Sequence, residues 1–189
     1  MSAGLTLMVW HSHALPEVDY WVLRRVAAQG DRDLRVAQRV TWGLTVVTIA
    51  AVLALAVYAF GVLRLIDAGS LALLAPVITL VTDRELKAIV ARRAPGSTVN
   101  HFPSGHVAVA TTVLVGAVLI WRVAMLRMSR RAGLTLAASV LPLLMIWSRM
   151  ADRAHLFTDV VAGAGLGTTV TLLVALALDR VYRANHAGP

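Results

Sequence analysis

The chain has 189 residues, 58% of them hydrophobic, a mean hydropathy of +0.73 and a formal charge of +8. Soluble domains of this length are usually less apolar, so the composition indicates a polytopic membrane protein. The absence of cysteine excludes disulfides and thiolate metal sites. The apolar segments leave no soluble basic face for a nucleic-acid partner, so the charge is assigned to anionic lipid headgroups or a phosphate substrate.

Among 18 basic residues there is a single lysine, Lys87. Genome composition accounts for an excess of arginine; it says nothing about where the one lysine stands. Met1 to Trp10 is mildly apolar but lacks a basic start, a long apolar core and a clear cleavage site. It is expected to be neither a signal peptide nor a span.

From about Glu17 to Gln29, Val18, Trp21, Val22 and Val26 share one helical face, with Arg24 and Arg25 elsewhere. The pattern fits an interfacial amphipathic helix, or equally a helix packed on its own protein. Gly30 breaks it and Asp31 is an N-cap candidate. Five spans follow, expected at about Thr41–Ile66, from near Ser70 to the charged Asp83-Arg84-Glu85, at Gly105 to Met125, at Ala132 to Trp147, and at Val160 to Leu178. Pro76 and Pro142 lie inside the second and fourth. Trp42, Trp121 and Trp147 fall near span ends and read as interface anchors. Gly163 and Gly167 have the spacing that lets two membrane helices approach closely. The expected architecture is therefore an all-α membrane bundle of about five transmembrane helices plus an N-terminal amphipathic helix. Residues 1–40 would form the interfacial segment and 41–189 the membrane-embedded domain.

Threading five spans back and forth puts four chain segments on one side. They carry Lys87 with Arg92 and Arg93, then Pro103-Ser104-Gly105-His106, then Ser148-Arg149, then His155 and Asp159. Singly each has an ordinary explanation: Lys87 pairing with Asp83 one turn earlier, Arg149 at the headgroups, Pro-Ser-Gly as a turn, His155 as a structural histidine. Their joint occurrence on one membrane face favours a site. A phosphate ester suits it, because its displacement spreads negative charge over three equatorial oxygens and needs fixed positive donors around them. Ser104 and the Gly105 N–H, at the start of the third span, add donors where the helix dipole favours anions.

These motifs resemble the type-2 phosphatidic acid phosphatase family, marked by K-x6-R-P, P-S-G-H and S-R-x5-H-x3-D. The second and third are complete here, as Pro103 to His106 and as Ser148-Arg149 through His155 to Asp159. The first departs, with Ala94 in place of the arginine before Pro95. The resemblance covers roughly Ser70 to Leu178. It implies that His155 is a nucleophile forming a phosphohistidine, that Asp159 orients it, and that His106 is the general acid and base. It further implies that Lys87, Arg149, Ser148, Ser104, Gly105 and an arginine near Pro95 hold the phosphate. Arg92 is favoured over Arg93 because many family members carry an arginine at that place; either reaches inward if the helix unwinds before Pro95. No cofactor and no metal are expected, and no carboxylate cluster suits magnesium. The expected partners are a lipid phosphate substrate and membrane lipids, with no nucleic acid and no oligomeric state indicated.

Two rival functions stand beside a lipid phosphatase: a phosphotransferase on the same fold, and a non-catalytic phospholipid-binding protein with an altered site. His11 and His13 have no further ligands nearby. His101 and Asn100 precede the second motif, with a substrate-contacting or a surface-loop role open; Asp152 and Arg153 lie within the third, where they either shape the pocket or pair with each other. Arginines occur on both sides of the membrane, so the positive-inside rule barely discriminates. The resemblance favours a bacterial plasma-membrane protein with its site facing away from the cytoplasm.

Overall fold

The computed structural model describes residues 17–27, 31–92, 101–124 and 126–186. Among these every regular element is a helix: α1 (Glu17–Ala27), α2 (Asp31–Val57) continued by a π-helical turn (Tyr58–Val62), α3 (Ile66–Val90), α4 (Gly105–Val123), α5 (Met128–Ala151) and α6 (Phe157–His186). Helices α2 to α6 are each long and apolar enough to cross a membrane, which makes this an integral membrane protein. Helix α1 carries Glu17 and Asp19 in its first turn and Arg24 and Arg25 in its last, an order that complements the helix dipole.

The centre of the bundle is α4, which packs most extensively against α6, and also against α5 and α3. Small residues make this possible. A Cβ placed on Gly163 would strike the Ser104 carbonyl oxygen, and one on Gly167 the Ala108 carbonyl, both far inside van der Waals contact. The two glycines thus let the backbones of α6 and α4 touch, as their spacing anticipates. Val107, Ala110, Met145 and Val160 form one buried cluster across α4, α5 and α6; Leu71, Ala75, Ala108, Leu166 and Val170 form another across α3, α4 and α6. Three hydroxyls in this interior are paired: Thr79 meets Thr112 across α3 and α4 at 3.2 Å, while Thr112 and Thr171 each donate to the carbonyl four residues back. Trp42, Val46, Val47, Ile49 and Leu53 of α2 are exposed and lie where lipid would cover them.

Several boundaries differ from expectation. The first span ends in the π-helical turn instead of reaching Ile66. The Leu63 N–H bonds to Tyr58 O at 3.0 Å and the Leu65 N–H to Ala59 O at 2.9 Å, and Arg64 takes φ 53°. Apolar residues continue through that turn, so hydropathy alone does not mark it. Helix α2 begins at Asp31 and runs unbroken past position 41, so the expected boundary between residues 40 and 41 falls inside a helix. The fifth span continues beyond Leu178 to His186. Met1 to Trp10, His11, His13, Gly30, Arg93, Ala94, Pro95 and Asn100 lie outside the described residues.

Candidate active site

The ends of α3 and α5, the starts of α4 and α6 and the helix α1 meet at one end of the bundle. Helix α3 stops at Val90, where Ala91 takes a left-handed φ of 47° and its N–H closes on Lys87 O at 3.1 Å. The chain then turns inward at Arg92, whose carbonyl accepts the His101 N–H at 2.9 Å. Ser104 sits before the first turn of α4; its N–H donates to Asp159 O at 3.0 Å and its carbonyl rests against Gly163. The motif at the start of α4 is thereby fixed to the first turn of α6.

His155 lies in the turn between α5 and α6, two residues before the helix begins at Phe157, so it does not share a helical face with Asp159 in the first turn of α6. Proximity is reached differently. The Asp159 Oδ2 accepts the Leu156 N–H at 2.9 Å, a reach back from the first turn of the kind made in a capping box, and lies 3.6 Å from His155 Nδ1. That separation exceeds a hydrogen bond but leaves imidazole and carboxylate in direct electrostatic contact. The His155 N–H donates to Arg149 O at 3.1 Å, and the His101 ring stands edge-on to the His155 ring at 5.7 Å. Burial is the leading influence on His155 and lowers its pKa; Asp159 opposes it, and the charges of Arg149 and Lys87 add to it. The ring is therefore neutral at neutral pH.

The cations are held by carboxylates. Lys87 Nζ donates to Asp83 Oδ2 at 2.6 Å, with the Asp83 carboxylate lying against Gly105. Arg149 Nη1 donates to Asp152 Oδ2 at 2.7 Å. Asp152 also accepts the Thr41 hydroxyl at 3.2 Å and the Ala154 N–H at 3.0 Å. Asp152 thus pairs with Arg149, and Arg153 sits in the turn at φ 58°. Among the described residues, Ser104 Oγ, Arg149 Nε, His155 Nδ1 and Asp83 Oδ1 are buried without a hydrogen-bond partner; apart from these, only Thr111 Oγ1 is so placed. Orphaned polar atoms are rare in folded interiors, and four of the five lie at this end of the bundle. His106, exposed in the first turn of α4, feels the charges of Arg149, His155 and Lys87. It opens with Arg149, Asp152 and Ala154 onto a cavity of about 480 Å³ walled by Gln38, Thr41, Trp42 and Thr45 of α2.

Two of the expected phosphate-binding residues are otherwise engaged. Ser148 is fully buried and its hydroxyl donates to Met145 O at 3.0 Å. Arg92 donates to Asp19 Oδ2 at 2.7 Å, to the Thr158 hydroxyl at 2.7 Å and to Asp159 Oδ1 at 3.0 Å. Lys87, Ser104, Gly105, His106, Arg149, His155 and Asp159 are brought to the same end of the bundle. Asp19 is the residue that sequence reasoning missed. On α1 this carboxylate is buried, while Val18 and Trp21 of the apolar face are exposed. Its partners Arg92 and Thr158 are 73 and 139 positions away, and no local pattern signals them.

Comparison with known proteins gives a concordant result. A family model described as the PAP2 superfamily matches residues 45–183, well over half of the chain. Among solved structures, a crystal structure described as the first transmembrane PAP2-type phosphatidylglycerolphosphate phosphatase from Bacillus subtilis superposes with a TM-score of 0.76. It is 20% identical, and the match covers 95% of this chain and 96% of that one. Comparison with curated proteins finds no significant match.

Proposed function

From the premise that the chain belongs to the PAP2 superfamily, as a membrane phosphatase of that fold, we propose that it hydrolyses the phosphate ester of a lipid through a phosphohistidine on His155. The observation that carries this reading is the buried His155 with Nδ1 at 3.6 Å from the Asp159 carboxylate, beside the orphaned Arg149 Nε and Ser104 Oγ. With Nδ1 carrying the proton towards Asp159, Nε2 keeps its lone pair for attack. The N–P bond forms as the ester P–O bond breaks, and His106 delivers a proton to the departing alkoxide. His106 then takes a proton from water as the water oxygen attacks phosphorus, the N–P bond breaks and inorganic phosphate leaves.

Lys87, the Arg149 guanidinium, the Ser104 hydroxyl and the Gly105 N–H would hold the equatorial oxygens, and removing one such donor typically costs about 100- to 1000-fold in rate. The substrate class follows from position. The cavity beside His106 opens against Gln38 to Thr45 in the N-terminal half of α2, a helix whose exposed apolar face would meet the bilayer. An acyl or prenyl tail can lie along that face while the phosphate reaches inward. Phosphatidate, phosphatidylglycerophosphate and polyprenyl phosphates or diphosphates all fit this chemistry. The PAP2-type structural relative makes phosphatidylglycerophosphate the first to try.

The test is phosphate release from a panel of these lipids in detergent containing EDTA, comparing wild type with His155→Ala. The expected result is release by wild type, none by the variant, and an acid-labile phosphoryl label on wild-type protein. Equal release by both would sink the proposal. A dependence on an added acceptor lipid would convert the hydrolase to a phosphotransferase.

A further inference from the structure

Asp19 belongs to none of the motifs, yet its side chain is completely buried. Oδ1 accepts the Thr158 N–H at 3.0 Å, and Oδ2 accepts the Thr158 hydroxyl and Arg92 Nη2, each at 2.7 Å. Thr158 is the second residue of α6, so its N–H is one of the donors a helix start leaves unsatisfied; the carboxylate that caps it comes from another helix. The Thr158 hydroxyl in turn accepts Arg92 Nη1, which also reaches Asp159 Oδ1. Two carboxylates and one guanidinium are therefore in contact, carrying a net charge of about −1. The Asp159 end of this group faces His155.

We infer that Asp19 and Arg92 are positioning residues for the proposed nucleophile: Asp19 fixes Arg92, Arg92 fixes Asp159, and Asp159 sets the orientation and charge environment of His155. The inference rests on the proposed role of His155. It reassigns Arg92 from the phosphate to the nucleophile's support and makes α1 part of the catalytic apparatus. A buried ion pair is weak support for stability alone, because apolar residues of similar volume hold helices together as well. What such a pair does supply is a fixed charge at a fixed place.

The groups facing His155 are Asp159 from α6, Arg149 from α5, Lys87 from α3, His106 from α4 and His101 from the preceding loop. Replacing Asp19 by Asn takes the triad from a net charge of about −1 to about 0 and leaves Arg92 wholly on Asp159. His155 then binds its proton less tightly, and positive charge developing on its ring is less well supported.

The experiment is made on the full chain in detergent micelles with dioleoyl phosphatidate as substrate, alongside an NMR titration of the histidine side chains, assigned with His155→Gln. For Asp19→Asn we expect kcat to fall about tenfold, a loss of one RT ln 10 in transition-state stabilisation. KM should stay near wild type, with the acid limb of kcat and the His155 titration both displaced to lower pH. Asp19→Glu, which keeps the charge, should return both towards wild type. A drop in kcat with no displacement of the His155 titration would make Asp19 merely structural and overturn the inference. An unchanged kcat and titration would overturn it too. If Asp19→Asn does not fold, Thr158→Val, which removes only the hydroxyl joining Asp19 to Arg92, must still lower kcat at unchanged KM, or the inference fails. If wild type releases no phosphate, the proposed function fails; the NMR titration of Asp19→Asn still decides the wiring.

Discussion

Replacing Asp159 by Asn should remove most of the activity while leaving the bundle folded, and the geometry gives the size of the loss. The carboxylate lies 3.6 Å from His155 Nδ1. At an effective dielectric of about 20, a full unit charge on the ring at that distance is stabilised by about 4–5 kcal/mol. If about half the charge has developed in the transition state, about 2–2.5 kcal/mol is at stake, or about 30- to 70-fold in kcat. The amide adds a second penalty. Its oxygen must face either the Leu156 N–H or Arg92, both of which donate to the carboxylate. With the oxygen towards Arg92, the NH2 meets His155 Nδ1 and favours the tautomer that protonates the attacking nitrogen. The combined expectation is a loss of about 100- to 1000-fold in kcat with little change in KM, comparable to other losses of an orienting or charge-stabilising group. Initial rates of phosphate release across substrate concentrations, in detergent with EDTA, separate the two constants. A variant whose kcat stays within threefold of wild type would refute the role assigned to Asp159.

Three further outcomes follow from the same geometry. Asp152→Asn keeps an acceptor for Thr41 and Ala154 but removes the charge that holds Arg149, so KM for a lipid phosphate should rise about three- to tenfold; calorimetric or equilibrium binding of inorganic phosphate checks the same effect without turnover. His155 takes its proton at lower pH in the folded protein than in the unfolded chain because burial disfavours the charged ring. Its contribution to stability is therefore full above the unfolded value of about 6.5 and is lost as pH falls below it. Thermal unfolding between pH 7.5 and 5 should show wild type losing more stability than His155→Gln. Gly167→Ala places a methyl group against the Ala108 carbonyl and should destabilise by about 1–3 kcal/mol, read as a lowered unfolding temperature.

The membrane architecture is legible because span length and apolar runs are local properties. Knowing that spans alternate in direction is then enough to gather Lys87, Ser104, Gly105, His106, Arg149, His155 and Asp159 at one end. The glycine pair is legible for the same reason: two small residues one helical turn apart declare a close approach wherever the partner comes from. What the sequence hides is which side of each helix meets which neighbour. Ser148 stands beside Arg149 in the motif, yet successive residues on a helix point about 100° apart, and Ser148 turns to Met145. Arg92 looks like a phosphate donor by its place near Pro95. Only the left-handed turn at Ala91 and two distant carboxylates reveal where its guanidinium goes. Asp19 is the extreme case: on α1 the carboxylate is buried while Val18 and Trp21 are exposed, the reverse of what amphipathicity alone suggests for a helix packed on protein.

The contact between Gly163 and Ser104 has a consequence for how this centre can be tuned. Gly163 bears directly on the carbonyl of the residue whose own N–H is tied to Asp159. No loop lies between this seam and Asp159, so the spacing of the two helices passes directly to that carboxylate. Adding a single carbon at position 163 would act as a shim, prising the start of α4 with Ser104 from the start of α6 with Asp159. The gap between the two helix starts is set by a missing side chain.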